Sequence, residues 1–232
     1  MERTLPHSRG LVKRNCSLNY GLASMFDVVQ FIRHGWIERN RILKPVEGWQ
    51  YIQVPLEKCP RETKIREIRI RTGEHWEEKI FRQLEHYRKK APYFCQVTGF
   101  LREALDNRTD SLVRLNARLL DKTCQYLGLP FRIEIFSEMD LPIEPANAPD
   151  EWALNICKAL GADTYLNPPG GISFFDRSKY FEAGIELQFL KVNLKPYSQK
   201  RDRFEEGLSI LDVMMFKDPH EIRSMLEDVE FL

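Results

Sequence analysis

The chain has 232 residues, which is enough for one large globular domain or two small ones. Its composition is 43% hydrophobic and 30% charged, and this excludes a disordered chain and a collagen-like or coiled-coil rod. Because 35 Lys and Arg residues offset 34 Asp and Glu residues to a net charge of +1, the chain offers no long-range field for phosphates or anionic lipid, which disfavours a generic nucleic-acid or membrane-surface binder.

The first half of the chain predicts strands followed by amphipathic helices. Aromatic, β-branched and alternating isoleucine residues predict strands at 49–56 and 65–70. Apolar residues at helical spacing predict helices at 74–90 and 110–127. For the second helix, Thr109 or Asp110 is the expected N-cap, and Gly128 is the expected left-handed residue at its end.

The last hundred residues alternate between strand and helix patterns. Strands are predicted at 131–136, 163–166 and 185–190, with a helix that Pro149 opens and Gly161 ends and a short helix at 178–182. Such an order with short connections predicts right-handed crossovers. The expected fold class is therefore α/β, as a single domain with a doubly wound, mostly parallel sheet and inserted helices.

Polar residues follow the predicted strands at the carboxyl edge, where open α/β sheets bind ligands. The candidates are Ser137, Asn167, Gly170, Gly171 and Asp176. The glycines permit positive φ and close approach of backbone N–H groups to an anion or a sugar hydroxyl, although a plain tight turn is the alternative. In the same way, Asp176 is either a ligand contact or a helix cap, and Ser137 is either a ligand contact or an ordinary strand exit.

A second candidate binding site lies earlier in the chain, where Arg39, Asn40 and Arg41 follow Trp36. Guanidinium groups suit phosphate or carboxylate, but arginines near acidic residues also form structural ion pairs. His34 lies beside this segment as a proton carrier, an anion contact or an exposed loop residue. The basic segment 195–203 is either a ligand-covering loop or a mobile surface loop.

No catalytic residue, metal site or cofactor site is predicted from motifs. The five histidines and five cysteines lack metal-binding spacing, and the chain contains no nucleophile elbow, Walker loop or dinucleotide-binding glycine pattern. With neither a secretory signal nor an apolar run long enough to span a bilayer, a cytoplasmic protein is expected.

Several segments in order resemble the WbqC-like protein family. They include Asp27-Val-Val-Gln-Phe31, Trp36-Ile-Glu-Arg-Asn-Arg-Ile42, Ala91-Pro-Tyr-Phe94, Ile156 to Ala162, Pro196-Tyr197 with Gln199, and Leu208 to Asp212. The similarity runs from about Phe26 to Phe216, so a WbqC-like α/β domain is expected over 26–232, after an atypical segment at 1–25.

The resemblance implies a cytosolic, transferase-type enzyme of bacterial surface polysaccharide (O-antigen) biosynthesis. Its partner would be a small molecule, a nucleotide-linked or phosphorylated sugar, with neither nucleic acid nor a membrane span involved. Matching positions assign binding roles to polar residues of the family blocks. These are Gln30, Trp36, Arg39, Asn40, Arg41, Tyr165, Tyr197, Ser209 and Asp212.

The chain departs from the family pattern at two places. Members usually carry a His-Gln-Pro block near the amino end, whereas residues 1–25 contain only His7 and Asn19-Tyr20 in a different setting. Asn167-Pro-Pro-Gly170 stands where the family tends to have a Ser-Gly pair. An altered amino end makes a noncatalytic binding or scaffold protein of the same pathway the alternative function.

Overall fold

The computed structural model describes residues 11–13, 21–73, 75–106, 108–193 and 195–232. Most of the atypical segment 1–25, including His7, Cys16 and Asn19-Tyr20, lies outside them. The described residues pack as two compact units. The sheet unit takes its residues from 1–28, 130–193 and 228–232, and the helical unit from 29–129 and 194–227.

The sheet unit is built on a mixed sheet of six strands flanked by two helices. In chain order its elements are β1 (Leu11–Lys13), β2 (Gly21–Met25), β5 (Phe131–Ile135), α4 (Glu151–Leu160), β6 (Thr164–Asn167), α5 (Arg177–Glu182), β7 (Glu186–Val192) and β8 (Val229–Phe231). The strands lie in the order β5-β2-β1-β6-β7-β8.

A doubly wound parallel sheet is not confirmed. Strand β6 pairs with β7 in parallel, as expected for consecutive strands joined by a helix, but β5 pairs in parallel with β2 instead of with β6. Strand β1 lies between the two parallel pairs and is antiparallel to both β2 and β6. The sequence-based prediction assumed that β5 and β6 are neighbours, and it contained no strand from the amino-terminal part to separate them.

The core of the sheet unit is formed by apolar residues of the strands and of α4. Helix α4 ends at Gly161, as the sequence predicted, and the φ of +60° at this residue is a left-handed C-cap conformation. Tyr180, Phe189 and Cys157 are completely buried. Burial raises the pKa of the Cys157 thiol to about 12, so this cysteine serves as a small apolar core residue.

The helical unit combines a two-stranded hairpin with five helices. Its elements are β3 (Arg39–Leu43), β4 (Trp49–Gln53), α1 (Trp76–Leu84), α2 (Phe94–Asp106), α3 (Leu112–Leu127), α6 (Ile210–Phe216) and α7 (Pro219–Leu226). Helix α3 begins at an N-cap, Ser111, which is one residue beyond the nearer of the two expected caps, and ends as expected at Gly128 with φ of +66°. Fully buried side chains such as Leu43, Leu84 and Leu115 form the core of the helical unit.

The predicted strand at 65–70 is wrong. A 3₁₀ turn occupies Ile65–Glu67, and only isolated bridges join Leu56 to Ile70 and Arg69 to Ser111. Ile65, Ile68 and Ile70 are all buried. A spacing of three and then two residues suits a turn that re-enters an extended segment, whereas a regular strand places every second residue on one face.

Candidate functional site

One face of the β3–β4 hairpin carries arginine and aromatic side chains in close contact. Arg41 pairs with Tyr51 across the hairpin, and Arg39 pairs with Gln53. The guanidinium carbon of Arg39 lies 4.0 Å from the centroid of the Tyr51 ring, and that of Arg41 lies 5.0 Å from the Trp49 ring. Both are diagonal neighbours across an antiparallel pair, so strand register itself creates the cation–π contacts.

Arg41 lies between two indole rings. Its guanidinium carbon is 5.1 Å from the centroid of Trp36 and 5.0 Å from that of Trp49. The Nε atom of Arg41 is buried and has no hydrogen-bond partner among the described residues. A buried N–H without an acceptor costs about 1–3 kcal/mol, which a ligand oxygen could recover. Trp36 is 55% exposed, so one ring of this cluster faces solvent.

The carboxyl-terminal part of the helical unit fixes the position of Arg41. The backbone N–H of Ser209 donates to the carbonyl of Arg41 at 2.8 Å. Gly207 adopts a φ of +64°, and a Cβ at this position would lie 2.6 Å from Nη2 of Arg41. Gly207 is therefore required both by its backbone conformation and by the close approach of the guanidinium group.

Two further cationic or titratable groups lie near the hairpin turn. Arg201 donates through Nη1 to the carbonyl of Gly48 at 3.3 Å, while its buried Nε has no partner among the described residues. His86 holds Nδ1 2.8 Å from the carbonyl of Gln83, which leaves Nε2 buried without a described partner. Burial lowers the pKa of His86, and the positive charges of Arg201 and Lys90 lower it further against the raising effect of that backbone hydrogen bond.

A buried carboxylate organises the segment behind these groups. Asp212 is completely buried and accepts hydrogen bonds from the hydroxyls of Tyr87 and Tyr197, the second at 2.5 Å, and from Gln199 at 3.4 Å. Burial raises the pKa of Asp212, although these hydrogen bonds oppose the shift. Burial and the charge of Asp212 also raise the pKa values of Tyr87 and Tyr197. Tyr197 is thus tied into a structural network.

The remaining candidates of the helical unit make local contacts. Arg39 donates through Nη2 to the carbonyl of His34, which fixes the loop before β3. Asn40 accepts the backbone N–H of Arg41 at 2.8 Å. Gln30 donates from Nε2 to the carbonyl of Arg61 at 2.7 Å. Among the predicted residues of this unit, the fold brings Trp36 into contact with Arg41, joins Ser209 to Arg41 and joins Tyr197 to Asp212.

The sheet unit contains the other predicted residues, and two of them follow strands that run in the same direction. Ser137 follows β5 and Asn167 ends β6, so both lie at the carboxyl edge, as expected. Strands β2 and β1 separate them, which amounts to about 14 Å at ~4.8 Å per strand. Ser137 donates from its backbone N–H at 3.0 Å and from its hydroxyl at 2.6 Å to the buried carboxylate of Asp27.

Packing accounts for the glycine-rich turn after β6. Gly170 and Gly171 lie in a 3₁₀ helix, Pro169–Phe174, and neither adopts the positive φ that the sequence suggested. A Cβ on Gly171 would lie 2.3 Å from Nδ2 of Asn167. Asp176 caps α5 by accepting the backbone N–H of Ser178 at 3.0 Å. The capping alternative therefore holds for Asp176, and its role in ligand binding stays a prediction.

Within the ranges that the structure describes, no group of three or more His, Cys, Asp or Glu side chains is arranged to hold a metal ion. Over those ranges, too, no helix combines the length and apolar character needed to cross a lipid bilayer.

The fold and the hairpin define a mixed α/β protein with an arginine- and tryptophan-lined surface on its helical unit. The chain belongs to the WbqC-like protein family, whose model matches residues 21–224. It is similar to a protein of Mycobacterium tuberculosis described as "Uncharacterized protein Rv1507c", with 31% identity over 193 residues that cover 82% of this chain and 81% of the relative. No solved structure matches the chain.

Sequence reasoning missed Arg201, His86 and Gly207 as parts of this site. Arg201 stood within a basic segment that was predicted only as a covering or mobile loop. His86 lies in a segment whose pattern predicts a helix, and that pattern does not indicate which residues surround its side chain. The role of Gly207 depends on how closely it approaches Arg41 in the folded protein. A signal was available for Gly207, because a glycine shortly before a helix N-cap at Ser209 indicates a special backbone conformation.

Proposed function

We propose that the protein is a sugar-modifying transferase of bacterial surface polysaccharide (O-antigen) biosynthesis that acts in the cytoplasm on a nucleotide-linked or phosphorylated sugar. Arg41 binds a phosphate of this substrate, and the exposed ring of Trp36 contacts the rest of it. Membership of the WbqC-like family supports the pathway. The geometry of Arg41 supports the class of ligand.

The observation that carries this proposal is the buried Nε of Arg41, which has no acceptor in the described part of the chain while the guanidinium group lies close to both Trp36 and Trp49. Contacts with two indole rings restrict the Arg41 side chain, so less side-chain entropy remains to be lost on binding. A phosphate presents several oxygens in the geometry that guanidinium donors prefer.

Calorimetric titration with UDP-glucose, dTDP-glucose and GDP-mannose tests the proposal. The wild type should bind at least one of them, and Arg41→Ala should weaken that binding tenfold or more. Arg41→Lys keeps the positive charge but not the fork geometry of the guanidinium group, so its affinity should lie between those of the wild type and Arg41→Ala. Arg132→Ala removes an exposed charge from the sheet unit and serves as the matched control.

Two results would count against the proposal. The first is that the wild type binds none of the three nucleotide sugars. The second is that Arg41→Ala binds as tightly as Arg132→Ala, which would mean that the guanidinium group of Arg41 is not the phosphate contact.

The absence of a His-Gln-Pro block from residues 1–25 favours a second candidate function, a noncatalytic binding or scaffold protein of the same pathway. A turnover assay separates the two. Incubation with the nucleotide sugar that binds and a lysate fraction rich in acceptor sugars should yield a transferred or modified sugar by mass spectrometry for the enzyme, and no product for the scaffold.

A further inference from the structure

A cavity of about 540 Å³ lies in the helical unit on the amino-terminal side of the hairpin. It is bounded by the loop that leads into β3, by the end of β4 with the residues that follow it, and by the first turns of α1. Its volume is in the range of sites that bind small molecules, roughly 300–1,000 Å³. The sequence predicted none of the charged residues that line it as ligand contacts, except His34.

Glu38 is the buried polar side chain of this cavity. It is only 4% exposed, and its Oε1 accepts the backbone N–H of His34. The second carboxylate oxygen, Oε2, is buried and has no hydrogen-bond partner among the described residues. A carboxylate oxygen can only accept, so whatever satisfies Oε2 must donate a hydrogen bond. The hydrogen bond from Arg39 to the carbonyl of His34 holds this loop in place.

Among the described residues, four cationic side chains line the same cavity as Glu38. They are Arg33, Arg71, Lys79 and Arg82. Two of them are tied to the walls, since Arg33 donates to the carbonyl of Cys59 at 3.1 Å and Arg71 donates to the carbonyl of Leu56 at 3.2 Å. Lys79 and Arg82 are exposed residues three positions apart on α1 and therefore project from the same side of that helix.

The amino-terminal end of α1 adds to the positive potential. This helix has nine residues, and its N-cap, His75, forms no side-chain capping hydrogen bond. His75, Trp76 and Lys79 all line the cavity. Because the His75 side chain does not cap the helix, backbone N–H groups of the first turn can bind solvent or an anion, although Glu77 and Glu78 of that turn offset part of the positive potential. The cavity thus combines a strongly positive wall with one carboxylate that needs a donor.

We propose that this cavity binds a small phosphorylated polyhydroxy compound of the sugar phosphate class. Its phosphate contacts Lys79, Arg82 and the start of α1, and one of its hydroxyls donates to Oε2 of Glu38. The site is separate from Arg41 and goes beyond the proposed function. The cavity supplies a second ligand position, which a transferase needs for its other substrate. Ligand binding in this cavity depends on the cavity residues alone.

Calorimetric titration with inorganic phosphate and with glucose 1-phosphate tests the site. For the wild type, we expect glucose 1-phosphate to bind at least threefold more tightly than phosphate, because only the sugar carries a hydroxyl for Glu38. The double variant Lys79→Ala/Arg82→Ala should weaken both ligands tenfold or more. The double variant Lys158→Ala/Arg132→Ala removes the same charge from exposed positions of the sheet unit and should change neither affinity.

Glu38→Gln gives the sharper result, because it should move the two ligands in opposite directions. Removing a negative charge from the cavity favours phosphate, whereas replacing the carboxylate weakens the hydrogen bond to the sugar hydroxyl. Preference for glucose 1-phosphate over phosphate should therefore disappear. Thermal unfolding of each variant checks that it is folded at the temperature of titration.

Three outcomes would overturn the assignment. The first is that the wild type binds neither probe, and the second is that the Lys79/Arg82 variant matches its control. The third is that Glu38→Gln tightens both ligands equally, because Glu38 would then be no ligand contact. Failure of the proposed function is distinguishable, because that proposal is tested with the three nucleotide sugars and Arg41→Ala, whereas the cavity is tested with phosphate, glucose 1-phosphate and the Lys79, Arg82 and Glu38 variants.

Discussion

The two units of this protein differ in how their buried polar side chains are hydrogen-bonded. In the sheet unit, Asp27 is paired with Ser137, Asp150 contacts Lys179 at 3.4 Å, and Asn155 donates to the carbonyl of Glu144 at 3.0 Å. In the helical unit, the buried polar atoms that have no hydrogen-bond partner among the described residues include Oε2 of Glu38, Nε of Arg41, Nε2 of His86 and Nε of Arg201.

This contrast separates structural polar groups from functional ones. A buried polar atom without a partner lowers stability by about 1–3 kcal/mol, so a fold retains it where a ligand or a proton provides the missing partner. The sheet unit uses its polar residues to join strand ends to loops. The helical unit has buried donors and acceptors near the β3–β4 hairpin that have no partner among the described residues. We therefore expect ligands to bind in this region.

The largest expected effect concerns the hydrogen-bond network around Asp212 in the helical unit, in which the buried polar groups have partners. Asp212→Ala would leave the hydroxyls of Tyr87 and Tyr197 without their buried acceptor, which should lower the free energy of unfolding by about 3 kcal/mol. Asp176→Ala, which removes the exposed cap of α5 in the sheet unit, should lower the free energy of unfolding clearly less. Urea denaturation measures both. Equal losses would contradict the importance of the buried network.

A smaller difference should separate two glycines with left-handed backbone. Gly184 in the sheet unit has a φ of +69° with open space around its Cβ position, whereas a Cβ on Gly207 would lie 2.6 Å from Nη2 of Arg41. Gly184→Ala should cost about 1 kcal/mol from conformation alone. Gly207→Ala should cost about 2 kcal/mol and weaken nucleotide sugar binding as well, because the guanidinium must move. Denaturation and calorimetry test the pair, and an unchanged affinity in Gly207→Ala would contradict the proposed role of Arg41.

Ser137→Ala should affect stability without affecting binding. The substitution removes the 2.6 Å hydrogen bond from the Ser137 hydroxyl to Asp27 and keeps the backbone donor, so we expect a loss of about 1.5 kcal/mol. Affinity for glucose 1-phosphate should equal that of the wild type. A changed affinity would show that the edge of the sheet takes part in binding, and it would remove the contrast between the units.

The smallest effect concerns the pH dependence of stability. The pKa of His86 is lowered from its ordinary value of 6.5, so the unfolded chain binds a proton more readily than the folded protein does. His86 therefore contributes stability that is present above pH 6.5 and is lost as the pH falls from 6.5 through the folded pKa. His86→Gln should make the stability curve flatter below pH 6.5. An unchanged slope in denaturation series at several pH values would contradict this.

Local signals predicted several elements correctly. Gly128 and Gly161 mark the ends of α3 and α4, because a left-handed residue after an apolar helical pattern is a local requirement. The strand pattern that begins at Trp49 was also recognised. In contrast, the strand predicted at 65–70 was wrong, because alternating charge resembles a strand even where hydrogen bonds run to distant loops, as from Ile70 to Asp110.

The candidate site was predicted in part. Trp36 and Arg41 were identified, and the structure brings them together. Glu38 lies between them in sequence and was not selected, since a glutamate among arginines resembles an ordinary ion pair. What distinguishes it is the lack of a donor for one buried oxygen, and only the packed structure contains this information.

The sequence by itself determined the WbqC-like family, the mixed α/β composition and the ends of two helices, because each depends on residue types at short spacing. Tertiary structure alone decided that β1 separates the two parallel pairs of the sheet, that Gly207 lies against Arg41, and that Glu38 faces a positively charged cavity. The physical reason is that strand order and the satisfaction of buried polar atoms depend on groups that are distant in sequence, and local propensities carry no information about their partners.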